Sequence, residues 1–162
     1  MYLVDANILI EAKNRYYAFD IAPGFWTWLE RAHASAQVCS IDAVRDELLE
    51  GYDELADWAR ATPSFFRPVD QSAANNFSGL SRWAASRSYT PAALAGFTGN
   101  NADYLLVAYA RGHANTVVTH EKPQPKAQRR VLIPDACEAM SVAYVDTFQM
   151  LRQTGAKLHL GS

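Results

Sequence analysis

Short apolar runs, each closed by a polar residue, alternate along the chain with longer stretches of helical periodicity. Tyr2-Leu3-Val4 ends at Asp5 and reads as a buried strand. Asn7 is then placed to cap a helix over residues 8–13. Pro23 suits the first position of a helix running to about residue 35, with Phe25, Trp28, Leu29 and Ala32 on its apolar stripe. Gln37-Val38-Cys39 is a second strand, after which Ser40 or Asp42 caps a helix through Val44, Glu47 and Leu48. Residues 53–60 continue as a helical piece ended by Pro63, and Phe65-Phe66 reads as a short extended segment.

Further along, residues 70–86 read as one helix despite Gly79, and Thr90-Pro91 opens a short helix stopped by the loop between Gly96 and Gly99. Residues 101–110 form a strong helix closed by Gly112. Val117-Val118 is another buried strand, and a Pro-rich basic loop follows it. Val131-Leu132-Ile133 reads as a strand, Pro134-Asp135 as a helix start, residues 142–145 as a last strand, and Thr147 as the cap of a final helix over residues 148–153. Short apolar strands separated by helices predict an α/β fold. Its central parallel sheet of short strands is flanked by helices on both faces, in one domain over residues 1–162.

Composition narrows the class. With 49% apolar and 20% charged residues the chain is globular rather than disordered. A formal net charge of −2 denies it the overall basic footprint of many nucleic-acid binders. Cys39 and Cys137 lie in small or apolar surroundings outside any CxxC pair, so buried free thiols are expected rather than zinc or a disulfide. No apolar run is long enough to span a bilayer, and Asp5 interrupts any secretory leader. A cytoplasmic protein with no membrane association is expected. The four tryptophans, Trp26, Trp28, Trp58 and Trp83, are expected in the core or an interface.

The candidate chemistry is carboxylate chemistry. In doubly wound sheets, sites form beyond the carboxyl ends of the strands. Asp5 follows the first strand, and Glu121 follows Val117-Val118 after Thr119 and His120, so both project at one rim. Glu47 and Asp103 lie on helices adjoining those strands. Carboxylates gathered this way repel one another unless a cation lies between them. An all-oxygen donor set suits a hard divalent ion, Mg²⁺ or Mn²⁺. His120 reads as a surface histidine and Asp135 as a helix-start residue.

In order, these segments resemble the motifs of PIN domains. The string Tyr2-Leu3-Val4-Asp5-Ala6-Asn7-Ile8 is similar to the opening strand with its acid, and Ser40-Ile41-Asp42-Ala43-Val44-Arg45-Asp46-Glu47 to the second motif. Asn101-Ala102-Asp103-Tyr104-Leu105-Leu106 resembles the third, and Val117-Val118-Thr119-His120-Glu121 the fourth, where Asp is the more usual acid. Ile133-Pro134-Asp135 and residues 19–26 resemble a PIN-like subgroup of small prokaryotic proteins. The resemblance implies a metal-dependent ribonuclease, often the toxin half of a VapBC-type toxin–antitoxin pair. It implies an acidic cluster of Asp5, Glu47, Asp103 and Glu121 on one or two Mg²⁺ or Mn²⁺ ions, with Asn7, Ser40 and Thr119 as supporting polar groups. RNA would be the substrate, held by Lys122, Lys126, Arg129 and Arg130. A cognate antitoxin and a homodimer are the implied partners.

Two rival readings stand beside it. Asp5 and Asn7 also resemble the strand-end acid pair of haloacid dehalogenase-like phosphatases, which normally carry Asp at the second position, so Asn7 counts against that reading. The other is a non-catalytic PIN-like scaffold that binds RNA or a partner protein.

Overall fold

The structure is a computed structural model, and residues 1–160 are described. Five short strands, β1 (Tyr2–Val4), β2 (Val38–Ile41), β3 (Phe66–Arg67), β4 (Thr116–Val118) and β5 (Tyr144–Val145), form one sheet in the order β3-β2-β1-β4-β5. Every neighbouring pair is parallel. Leu3 lies opposite both Cys39 and Val117, so β1 is the central strand.

Consecutive strand residues point to opposite faces of a sheet. Leu3 and Val4 are both fully buried, as are Val117 and Val118, and the whole of β2 is buried. Both faces are therefore covered, as an all-parallel sheet requires. The covering helices are α1 (Ala6–Glu11), α2 (Pro23–Ala34), α3 (Asp42–Leu49), α4 (Glu54–Ala61), α5 (Gln71–Ala74), α6 (Phe77–Ala85), α7 (Pro91–Gly96), α8 (Ala102–His113), α9 (Ile133–Ala139) and α10 (Thr147–Gln153). With right-handed crossovers, α1 to α4 fall on one face, because β1, β2 and β3 step one way across the sheet. The return to β4 and β5 puts α5 to α9 on the other, where α8 packs against α5, α6 and α9.

One apolar cluster joins strands and helices, with Leu3, Leu9, Phe25, Leu29, Phe65, Leu106, Ile133 and Met150 fully buried. Trp26 and Trp58 are buried in it, Trp26 stacking on Phe19 at 4.0 Å, and Trp28 and Trp83 pack on its margin. The cysteines are free and buried, as expected. Among the described residues, no helix is long and apolar enough to cross a membrane.

Several local expectations are corrected. The helix after β1 starts at Ala6 and is capped by Asp5, because the carboxylate, not Asn7, accepts the Ile8 N–H at 2.8 Å; beyond Glu11 the chain widens into a π-helical turn, Ala12–Tyr16. The expected helix over residues 70–86 breaks at Asn75 and Asn76, where Asn76 Nδ2 donates to the carbonyl of Ser72 and diverts the chain into α6. Ile41, not Ser40 or Asp42, is the N-cap residue of α3. Residues 131–132 are buried but belong to no strand, and Ile133 opens α9; its N–H is spent on Glu121 rather than on a ladder. The last helix is capped by Asp146, in a reciprocal capping box with Gln149, and Thr147 is its first turn. Helix α8 runs through Gly112 to His113, and Ala114 in the left-handed region ends it. A Cβ on Gly112 would lie 2.4 Å from the Ser72 carbonyl oxygen, so glycine there serves the close approach of α5.

Candidate functional site

The strand order reverses direction around β1, which makes the carboxyl ends of β1 and β4 the topological switch point of the sheet. Asp5 is the first residue beyond β1, and its N–H donates to Val118 of β4 at 3.2 Å, tying it to that crevice. Its Oδ1 caps α1. Its Oδ2 is buried without a hydrogen-bond partner, and the residue is 1% exposed. Burial pushes the carboxyl up from 3.8 to about 7; the Ile8 N–H and the Thr119 hydroxyl oppose the rise, and Asp103 and Glu121 add to it.

The other acids arrive from separate elements. Asp103 sits in the first turn of α8, positioned by Asn101, whose side chain caps that helix through the Tyr104 N–H at 2.9 Å. Its carboxyl is raised by burial and by Glu121, and lowered by Arg130. Glu121 lies in the loop after β4, with Oε2 accepting the Ile133 N–H at 2.8 Å. Glu47 stands on an exposed turn of α3; its carboxyl is raised by local desolvation first, then by Asp103 and Glu50. The fold thus brings Asp5, Asp103 and Glu121 within electrostatic reach of one another, and Glu47 joins through Asp103 at the margin.

Among the described residues, no three His, Cys, Asp or Glu side chains already form a metal-holding group. Arg130 is drawn into the same acidic cluster. Its guanidinium pairs closely with Glu121 Oε1 and lies 3.6 Å from Asp103 Oδ2, so a cationic side chain stands between two of the acids. The chemistry of the site still fits a divalent ion: a buried carboxylate oxygen without a donor and neighbouring acids with raised proton affinity need a positive charge.

The supporting polar groups divide. Ser40 is buried and donates to the Val4 carbonyl at 2.6 Å, bracing the strand end that delivers Asp5 rather than touching a carboxylate. Thr119 is buried beside Asp5, and its hydroxyl accepts the Glu121 N–H at 3.2 Å. Asn7 is exposed and makes no side-chain hydrogen bond among the described residues. Lys122, Lys126 and Arg129 are exposed and make no ion pair among the described residues. His120 turns away, 3.2 Å from Thr147 and 3.6 Å from Glu11. Asp135 is in the first turn of α9, where it accepts the Gln124 N–H at 3.0 Å.

Two features have no sequence signal. One is the Arg130 bridge. The other is a cleft of about 170 Å³ beside Asp103, lined by residues of α7 including Gly96, by Phe97, and by Arg129 and Arg130.

The sequence profile of one family, described as a domain of unknown function (DUF4411), matches residues 2–158. A search among curated proteins finds no match. Solved structures share the fold. A chain of VapBC2 from Rickettsia felis, bound to a DNA fragment from its promoter, aligns with a TM-score of 0.55 at 14% identity, over 90% of this chain and 97% of that one. A chain of FitAB bound to the IR36 DNA fragment aligns with a TM-score of 0.54 at 16% identity, over 100% and 99%. A chain of FitAcB from Neisseria gonorrhoeae aligns with a TM-score of 0.52 at 18% identity, over 89% and 96%. The α/β architecture expected from the sequence, a central parallel sheet covered by helices, is thereby borne out and is shared with these chains.

Proposed function

The chain belongs to the DUF4411 family, and we propose that it is a metal-dependent ribonuclease acting as the toxin half of a toxin–antitoxin pair. The observation that carries the reading is the Asp5 carboxylate, buried at the switch point with Oδ2 unpartnered and with Asp103 and Glu121 in reach. Asp5, Asp103 and Glu121, with Glu47 at the margin, would hold one or two Mg²⁺ or Mn²⁺ ions. When bound, such an ion lowers the pKa of a water and offsets charge on a phosphodiester. The protein's own residues do the rest. Asp5 is fixed by its cap to α1 and by Val118, so its free oxygen has one direction. Ser40 braces the end of β1 through the Val4 carbonyl, and Thr119 fixes the turn that carries Glu121. Arg129 lines the same cleft as Asp103, and Lys122 and Lys126, exposed on the same loop, add positive charge for an RNA backbone.

The partner half of the proposal rests on fold alone. Structural neighbours are two-component assemblies by their names, VapBC2 and FitAB, so a small antitoxin encoded beside this chain is the partner expected here. A homodimer belongs to the same proposal. The phosphatase reading, already disfavoured by Asn7 at the second acid position, gains no support from a structure in which Asn7 is exposed and Asp5 buried. A non-catalytic scaffold is favoured by one observation, the Arg130 guanidinium lying between Asp103 and Glu121.

The test is cleavage of single-stranded RNA with added Mn²⁺ or Mg²⁺ by protein purified free of host nuclease, wild type against Asp5→Asn. Asparagine keeps the helix cap, so fold is preserved while the charge is lost. Activity should fall at least ~100-fold if Asp5 holds the ion. Undiminished cleavage by the variant would sink the assignment. Inactivity of the wild type, with Mn²⁺ bound, would favour the scaffold.

A further inference from the structure

We propose that Arg130 is an exchangeable counter-charge: it occupies the cation position between Asp103 and Glu121, and on displacement it becomes a ligand for a substrate phosphate at the adjoining cleft. The inference rests on the metal-nuclease reading above and extends it to a residue of the basic loop.

The geometry supports exchange over a fixed strut. The guanidinium contacts both acids, yet the Arg130 side chain is 58% exposed, so it leaves without disturbing the core. The acids do not depend on it for position. Glu121 keeps the Ile133 N–H on its other oxygen, and Asp103 is set by the first turn of α8. The loop is pinned independently of the guanidinium, by Gln124 N–H to Asp135 at 3.0 Å, Thr90 N–H to the Gln128 carbonyl at 2.9 Å, and Arg87 to the Pro125 carbonyl at 3.1 Å. A long, exposed side chain thus extends from a base that is fixed without it.

The charges then dictate the exchange. A divalent ion held by Asp103 and Glu121 offers those oxygens two positive charges, where Arg130 offers one. The ion and the guanidinium also repel each other at such close quarters. The displaced head group has an adjoining place to go. Asp103, Arg129 and Arg130 line the same cleft of about 170 Å³, together with Gly96 and Phe97. A guanidinium there presents a planar fork suited to phosphate oxygens. Cation loading would then add a phosphate ligand to the site, so RNA binding and metal binding reinforce each other.

Two titrations on the wild type, Arg130→Ala and Arg130→Lys test this. The first measures Mn²⁺ affinity by calorimetry without RNA. The second measures binding of a short 2′-O-methyl oligoribonucleotide by fluorescence anisotropy at saturating Mn²⁺. The exchange requires opposite signs in Arg130→Ala: Mn²⁺ binding tighter by about threefold or more, as expected for removing an exposed competing ion pair, and RNA binding weaker. Arg130→Lys falls between, since an ammonium keeps the charge without the fork. Unchanged or weaker Mn²⁺ binding in Arg130→Ala overturns the proposal and leaves a structural strut. Tighter Mn²⁺ binding with unchanged RNA affinity overturns the phosphate role. If the wild type and both variants bind no Mn²⁺ while their melting curves coincide, the metal-nuclease reading fails, and the exchange fails with it.

Discussion

Asp5 uses its two oxygens differently. Oδ1 closes the first turn of α1, while Oδ2 is buried with no donor. A carboxyl whose value rises from 3.8 to about 7 on folding binds its proton more tightly in the native state than in the unfolded one. Between those values the native chain carries more protons, so stability falls as pH rises through that window and then levels off. Asp103 and Glu47 shift in the same direction and add to the slope. Thermal denaturation of the metal-free protein should therefore show a melting temperature that declines from pH 4 toward neutrality. In Asp5→Asn the decline should be smaller, with the variant the more stable protein near pH 7. A variant slope equal to that of the wild type would mean that the Asp5 proton is not retained on folding. Asp5 was legible as a strand-end acid, but its capping role was assigned to Asn7, although Asp is an equally good cap and lies directly before the helix.

At the scale of elements, the contact of α5 with α8 is the tightest constraint. Gly112 lets the Ser72 carbonyl approach α8, and a Cβ there would meet that oxygen at 2.4 Å and the Ala73 nitrogen at 3.0 Å. The obstacle is backbone, which cannot rotate away. Gly112→Ala should therefore destabilise the protein by about 1–3 kcal/mol, despite alanine's better helix propensity. Urea denaturation measures it; a stabilised variant would show that α5 yields freely. From the sequence Gly112 reads as a helix stop, because a glycine near a helix end is most often a cap. The reason it is glycine lies on another element and has no local signature. The same holds for the break at Asn75 and Asn76, and for residues 131–132, whose apolar pattern suits a strand but which pair with no strand among the described residues.

For the molecule as a whole, the proposed cation site implies coupling between cation binding and stability. A ligand that binds only the folded state stabilises it by about 2.7 kcal/mol at a hundred times its dissociation constant. Mn²⁺ or Mg²⁺ should accordingly raise the melting temperature near neutral pH, and the rise should vanish in Asp5→Asn. A rise that persists in the variant would place the ion elsewhere. The architecture behind this was open to reading from the chain alone. Apolar runs buried on both faces demand a covered parallel sheet, and the alternation of strands with helices supplies the cover. That pattern also placed Asp5 and Glu121 beyond strand ends, because the short apolar runs Tyr2-Leu3-Val4 and Val117-Val118 stop at the polar residues that follow them. What it could not contain is the meeting of Asp103 and Glu121 with Arg130. Periodicity records whether a residue faces inward or outward; an ion pair between a helix start and a loop depends on how the loop is pinned over α7, by Thr90 and Arg87. The sequence by itself thus determined the sheet, the rim and the acids delivered to it. Only the tertiary structure decided which positive charge stands between them, because the distance between a flexible side chain and two separate elements is a property of the packed chain.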